Sequence, residues 1–280
     1  MLITPEELNA RLGEVVVLDA SWHMPDTGRD GNAEFVAARI PGARRFDIDA
    51  IADTSSGLPH TLPSPEVFAR MVGALGVSND TPVVVYEVGA PFAAPRARWM
   101  LRVMGHDAAV LDGGLAAWRA AGYPVAHGAP EDVAPATFVP FYHPEMFADA
   151  DDVAAALAEG RPVADARSAE RFEGRVDEPR LGLRAGHMPG ARNVHYASLL
   201  TPEGRLKDEA ALRAVFGEAG VDLTKPVVTT CGSGVTASIL ALALERIGTP
   251  AAVYDGSWTE WGGDPARPVV KGPSGSEREG

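Results

Sequence analysis

The sequence contains an internal repeat, because four short motifs of its first half recur in the same order in its second half. The pairs are Leu18-Asp19-Ala with Val163-Ala-Asp165-Ala, Ile40-Pro-Gly-Ala43 with Met188-Pro-Gly-Ala191, Pro82-Val-Val with Pro226-Val-Val, and Leu111-Asp-Gly113 with Tyr254-Asp-Gly256. The members of each pair lie between 143 and 148 residues apart. So constant a spacing indicates that one domain has been duplicated.

Short apolar runs alternate with helix-forming stretches in both halves. Residues 15–19 and 82–86 are rich in valine and predict buried strands, whereas residues 95–104 predict a helix. Such alternation is typical of parallel sheets with helices on both faces. The predicted fold class is therefore α/β, as a tandem duplication of one domain, each copy a parallel sheet covered by helices.

The chain of 280 residues is long enough for two domains with separate cores. The stretch around residues 124–144 is rich in Pro, Ala and Gly and is typical of a linker. The predicted boundaries are a first domain at 1–125, a linker at 126–144, a second domain at 145–270 and a disordered tail at 271–280.

Composition excludes several classes of function. A net charge of −13 disfavours nucleic acid and anionic membranes as partners. The sequence starts without a secretory signal and has no apolar run of membrane-spanning length, so a cytoplasmic location is expected. A single cysteine excludes an internal disulfide and a cysteine-cluster metal site, and neither a metal nor a cofactor is expected.

That cysteine, Cys231, stands between a predicted strand at 226–230 and a predicted helix at 237–246. Gly232 and Gly234 let the backbone curl tightly, so that successive N–H groups can bind one anion at a helix N-terminus. These groups favour the thiolate, which is the nucleophilic form. Cys231 is therefore a candidate nucleophile.

Two other interpretations fit the same stretch less well. A lone cysteine is most often a small buried apolar residue, but such a residue does not require a glycine loop around it. The segment 232–237 also fits a dinucleotide-binding fingerprint, with Asp255 as its acidic residue. That fingerprint opens a sheet of several further strands, whereas only one convincing strand, at 251–254, follows here.

The two copies differ at the nucleophile. Within the repeat, Cys231 falls opposite Glu87, whose carboxyl group cannot act as a thiol nucleophile. One copy is therefore expected to carry the chemistry and the other to help shape the site.

Three features together resemble the two-domain rhodanese family of sulfurtransferases over about residues 1–270. They are Ala185-Gly-His-Met-Pro-Gly-Ala191-Arg-Asn, the Asp-Gly turns at 112 and 255, and the Cys-x5 loop. The resemblance implies a sulfurtransferase that carries sulfur as a Cys231 persulfide. The loop expected to hold that persulfide comprises Gly232, Ser233, Gly234, Val235 and Thr236.

Within the family, Cys-Gly-Ser-Gly-Val-Thr is similar to the loop of the branch that takes sulfur from 3-mercaptopyruvate and releases pyruvate. The thiosulfate branch usually has basic residues directly after the cysteine, where Gly232 and Ser233 stand here. Transfer from thiosulfate to cyanide, with release of sulfite, remains the alternative.

The resemblance also implies roles for five side chains. Ser233, His60 and Asp49 match a proposed Ser-His-Asp proton relay, and Arg171 and Arg180 match the pair that holds the substrate's carboxylate and keto oxygen. A planar guanidinium suits those oxygens because it donates two parallel hydrogen bonds. Without the resemblance, a loop histidine and two isolated arginines would be interpreted as solvated or salt-bridged groups.

Because the chain has no second cysteine, sulfur must leave to an external acceptor, such as glutathione, thioredoxin or a similar thiol, or cyanide. Two half-reactions predict ping-pong kinetics.

Two other classes of function compete with a sulfurtransferase. A cysteine phosphatase would need an arginine after its loop, where Thr236 and Ala237 follow Val235, and a non-catalytic sulfur carrier would show no steady turnover.

Overall fold

The structure is a computed structural model, and it describes residues 1–89 and 92–275. The chain forms two compact units. The first comprises Met1–Asp53, Leu62–His143 and Pro202–Arg205, and the second comprises Thr54–Thr61, Pro144–Thr201 and the chain from Leu206 onwards. Each unit holds a five-stranded sheet in which every pairing is parallel, so the predicted fold class is confirmed. The predicted domain boundaries stay a prediction.

The sheet of the first unit has the order β1-β5-β4-β2-β3. Its strands are β1 (Leu2–Ile3), β2 (Val16–Asp19), β3 (Arg44–Arg45), β4 (Val83–Tyr86) and β5 (Ala108–Leu111). Its helices are α1 (Pro5–Ala10), α2 (Gly31–Ala37), α3 (Pro65–Ala74), α4 (Ala94–Val103) and α5 (Gly114–Ala120). Every residue of β2 and β4 is buried, as expected of valine-rich central strands covered on both faces.

The sheet of the second unit has the equivalent order β6-β10-β9-β7-β8. Its strands are β6 (Phe147–Ala148), β7 (Val163–Asp165), β8 (Arg192–Asn193), β9 (Val227–Thr230) and β10 (Ala251–Tyr254). Its helices are α6 (Ala150–Ala158), α7 (Ala169–Phe172), α8 (Glu209–Glu218), α9 (Ala237–Arg246) and α10 (Ser257–Trp261). No helix within the described ranges is long and apolar enough to span a bilayer.

Each unit has its own core, and a capped helix follows the edge strand β1 or β6. Thr4 forms a capping box at α1 and Asp149 forms one at α6, so each helix has at least one N–H group of its first turn bonded by a side chain. A buried tryptophan anchors the first core, Trp118, and two anchor the second, Trp258 and Trp261.

The strand order of the second sheet reverses between β7 and β9. The chain leaves β7 towards β8 on one side, and leaves β9 towards β10 on the other. Ligands of open parallel sheets bind where the strand order reverses in this way. Asp165 is paired with Thr230, so the residues that follow these two strand ends lie side by side.

The segments predicted as linker and tail make specific contacts where the structure describes them. In the first unit, Arg39 and Ala126 form an isolated β-bridge, and Phe138 is buried with its ring edge-on to Phe68. In the second unit, Gly272 donates its N–H to the carbonyl of Glu173. The rest of the predicted tail, residues 276–280, lies outside the described residues.

Candidate active site

Cys231 directly follows β9 and is only 2% exposed. The first turn of α10 holds the start of its loop. Trp258 donates its N–H to the carbonyl of Cys231 at 3.0 Å, and Thr259 donates its N–H and its hydroxyl to the carbonyl of Gly232 at 2.9 and 2.6 Å. These bonds turn both carbonyl groups towards α10.

The N–H groups of the loop are left for an anion. Gly234 has φ +78°, a left-handed conformation that glycine adopts without strain, and α9 begins at Ala237. Among the described residues, no acceptor takes the N–H of any residue from 232 to 237, although all of these residues except half-buried Gly232 are buried. Buried N–H groups are almost always paired, so such a cluster at a helix N-terminus is suited to bind an anion.

Arg171 lies next to this loop. A Cβ atom placed on Gly232 would be 3.1 Å from Nη2 of Arg171, closer than nearly all real contacts of that kind. A side chain at position 232 and the guanidinium of Arg171 therefore compete for one volume. Residue 232 is a glycine and carries no charge of its own, so the positive charge beside the loop is that of Arg171 in α7.

Glu178 holds that guanidinium in place. Its side chain is 1% exposed, its Oε2 accepts a 2.5 Å hydrogen bond from Nη2 of Arg171, and its Oε1 accepts a 3.3 Å bond from Nε. The same Oε1 lies 2.9 Å from Nη1 of Arg167. One buried carboxylate thus joins two arginines, and no sequence motif marks Glu178.

Arg167 is the fully buried centre of this cluster. Its Nε and Nη2 donate to both carboxylate oxygens of Asp165, the shortest bond being 2.7 Å, and its guanidinium stacks 4.2 Å from the ring of Trp258. Burial alone would lower the pKa of Arg167, but the carboxylates of Asp165 and Glu178 outweigh burial and raise it. Two carboxylates and two guanidinium groups, including that of Arg171, balance in charge.

The other predicted residues of the second unit are Ser233 and Arg180, together with His60. Ser233 is 7% exposed in the loop, and Arg180 is half-buried two residues after Glu178. His60 is 5% exposed and has φ +63°, a left-handed conformation uncommon outside glycine.

Asp49 belongs to the first unit, where its Oδ2 accepts a 2.8 Å hydrogen bond from Nε1 of Trp22. Of the predicted site residues, the structure brings Arg171 to the Cys231 loop. The relay of Ser233, His60 and Asp49 stays a prediction. Among the described residues, no group of three or more His, Cys, Asp or Glu side chains is arranged to hold a metal ion.

The corresponding loop of the first unit binds its own side chain. Glu87 directly follows β4, and its carboxylate accepts N–H bonds of 2.6, 3.0 and 3.0 Å from Phe92, Ala93 and Ala94 at the start of α4. Burial raises the pKa of Glu87 to about 7, although these N–H groups oppose the shift and nearby Asp19 adds to it. At the position of the cysteine, this copy thus has a carboxylate that satisfies the N–H groups.

We expect Glu87→Gln to remove part of the pH dependence of stability. An unfolded glutamate has a pKa of about 4.3. Because the folded pKa is higher, the native protein should lose stability as pH rises from about 5 to 7, by about 2 kcal/mol relative to Glu87→Gln. Urea unfolding at several pH values, followed by a signal from the first unit, measures the difference in the free energy of unfolding between the two proteins. Parallel curves for the two proteins would contradict the expectation.

Two regions of the chain, one in each repeat, match a known protein family. The family description Rhodanese-like domain matches residues 4–121 and 149–264. The 3-mercaptopyruvate sulfurtransferase of Escherichia coli K12 is 43% identical over 260 residues, covering 91% of this chain and 92% of the relative. The thiosulfate/3-mercaptopyruvate sulfurtransferase 1 of Arabidopsis thaliana is 39% identical, covering 93% and 75%. The crystal structure of SseA from Escherichia coli superposes with a TM-score of 0.84 at 38% identity, covering 92% and 98%.

Proposed function

This chain is a sulfurtransferase of the rhodanese family, whose matched regions cover both repeats, and we propose that it moves the sulfur atom of 3-mercaptopyruvate to a thiol or cyanide, carrying it as the sulfane sulfur of a Cys231 persulfide. The observation that carries the proposal is the row of N–H groups from 232 to 237, directly after Cys231, for which the described residues provide no acceptor. Those groups suit a thiolate and the persulfide formed from it.

In the first half-reaction, the Cys231 thiolate attacks the sulfur of 3-mercaptopyruvate. An S–S bond forms, the C–S bond breaks, and its electron pair stays on carbon as the enolate of pyruvate. One proton then converts the enolate to pyruvate. The predicted relay of Ser233, His60 and Asp49 would supply that proton, with Asp49 orienting the imidazole.

The arginines are proposed to bind the donor. Arg171 keeps part of its guanidinium turned towards Gly232 while Glu178 holds its Nε and Nη2, so it can meet a carboxylate without reorganising. Arg180 would contribute the second guanidinium. Two arginines suit the carboxylate and adjacent keto oxygen of mercaptopyruvate.

In the second half-reaction, an acceptor thiolate or cyanide attacks the outer sulfur and returns Cys231 as a thiolate. The chain has no other cysteine, so the acceptor must be external. Glutathione, thioredoxin or a similar thiol fits this need. A cytoplasmic setting would supply such thiols in reduced form.

The deciding experiment compares kcat/KM for 3-mercaptopyruvate and for thiosulfate with one acceptor, in the native protein and in Ser233→Ala. We expect a preference for mercaptopyruvate that Ser233→Ala lowers by about ten-fold or more. Thiosulfate is the internal control, because sulfite leaves as an anion and needs no proton on carbon, so its rate should change little.

Thiosulfate is the second candidate donor, since the Arabidopsis relative carries both donors in its name. Equal or better use of thiosulfate by the native protein would transfer the assignment to that branch. Ser233 would then belong to the persulfide loop alone.

A further inference from the structure

Ser257, the first residue of α10, has a backbone conformation that its residue type disfavours. Its φ is +51°, and it is one of two non-glycine residues in the described chain with positive φ. Its side chain is completely buried. A non-glycine residue held in this region is strained and persists only where surrounding contacts determine its conformation.

The hydroxyl of Ser257 makes three contacts that use its full hydrogen-bonding capacity. It donates to the carbonyl of Tyr254 at 2.8 Å, and accepts from the N–H of Cys231 at 3.2 Å and from the hydroxyl of Thr230 at 3.4 Å. The end of β10 is thereby joined to the last residue of β9 and to the nucleophile position. The first peptide of the loop is held by the serine side chain itself.

The first unit contains the same turn without a side chain. Gly114 occupies the equivalent position with φ +57°, and Leu115 donates its N–H to the carbonyl of Glu87 just as Trp258 does to Cys231. A Cβ atom on Gly114 would collide with that carbonyl oxygen. The first unit therefore requires glycine at this turn, whereas the copy that carries the cysteine has a serine there.

From these observations we infer that Ser257 is a positioning residue for Cys231. Its hydroxyl accepts the hydrogen bond of the Cys231 N–H, so that this N–H points away from the bound anion. The N–H groups of residues 232–237 alone then surround the anion. The inference rests on the proposed function of Cys231 as nucleophile. It assigns Ser257 no contact with the substrate.

The test compares Ser257→Gly and Ser257→Ala with native protein. Glycine keeps the left-handed backbone, as in the first unit, so the unfolding temperature should stay within about 3 °C of native. With the best donor, kcat should fall about ten-fold while KM stays unchanged, because the arginines are untouched and only the placement of the nucleophile is lost. Hydrogen exchange at the Cys231 amide should accelerate in both variants.

The matched control is Ser198→Ala. The hydroxyl of Ser198 donates at 2.7 Å to the carbonyl of His195, a residue three positions earlier in the chain, as Tyr254 is for Ser257. This substitution should leave kcat and KM unchanged. The proposal is overturned if Ser257→Gly matches native protein in kcat and in Cys231 amide exchange, or if Ser198→Ala loses as much activity as Ser257→Gly.

A third measurement separates this proposal from the proposed function. Cys231 is the only cysteine, so alkylation by iodoacetamide reports on its thiol without any donor. Ser257→Gly should alkylate several-fold more slowly than native protein, and an unchanged rate would count against positioning. If native protein turned over neither donor while alkylation and amide exchange still responded to Ser257→Gly, the proposed function would fail and the positioning role would stand.

Discussion

Replacing Cys231 by alanine is expected to abolish turnover with both donors, lowering kcat by at least about a thousand-fold. The loss of the nucleophile removes the covalent route, and binding by the remaining groups cannot replace it. Because Cys231 is buried but small, the fold should tolerate the change, so the loss of activity should not come from unfolding.

Mass spectrometry of protein mixed with donor gives the direct measurement. Native protein without acceptor should gain the mass of one sulfur atom per chain, and Cys231→Ala should gain none. The chain offers no second thiol, so any residual sulfur on the variant would mean that the sulfur is carried by another group. That result would remove Cys231 from the mechanism.

Local sequence signals predicted the surroundings of this cysteine well. The expected strand at 226–230 is β9, Val227–Thr230, and the expected helix at 237–246 is α9 with the same bounds. A run of valine and threonine followed by glycines and then by strong helix formers leaves little choice of local structure. The repeat added the long-range information, because two copies of one α/β pattern predict two parallel sheets.

The cluster of Asp165, Arg167, Glu178 and Arg171 could not be predicted in the same way. Glu178 lies in an irregular segment with no periodic pattern. Its partners are Arg167, which follows β7, and Arg171 in α7. Hydrogen bonds between such segments depend on how the loops meet in three dimensions. Sequence alone therefore suggested Arg171 but could not reveal what holds it.

Two further features depended on comparing the copies in three dimensions. The repeat identified Glu87 as the residue opposite Cys231, but only the structure places its carboxylate on the N–H groups at the start of α4. Likewise, the Asp-Gly turn was visible at 255, whereas the contact of Ser257 with the N–H of Cys231 was not. The roles proposed for Ser233, His60 and Asp49 stay predictions.

The second large effect is expected on stability, from Arg167→Met. The substitution removes the charge that Asp165 and Glu178 share, and leaves two carboxylates buried without it. Breaking a buried pair in this way costs about 3–5 kcal/mol, because an uncompensated charge remains in a poorly solvated place. For a chain of this size, the unfolding temperature of the second unit should fall by about 10 °C.

Arg175→Met is the matched control, because Arg175 also forms a short ion pair, with Nε 2.6 Å from Oε2 of Glu173, but its side chain is 55% exposed. Solvent screens such a pair, so the control should change stability by less than about 1 kcal/mol. The double variant Arg167→Met, Asp165→Asn should regain part of the loss, since it removes one of the unpaired carboxylates. Calorimetry of the three variants measures these differences. Equal effects of Arg167→Met and Arg175→Met would mean that burial does not set the strength of the cluster.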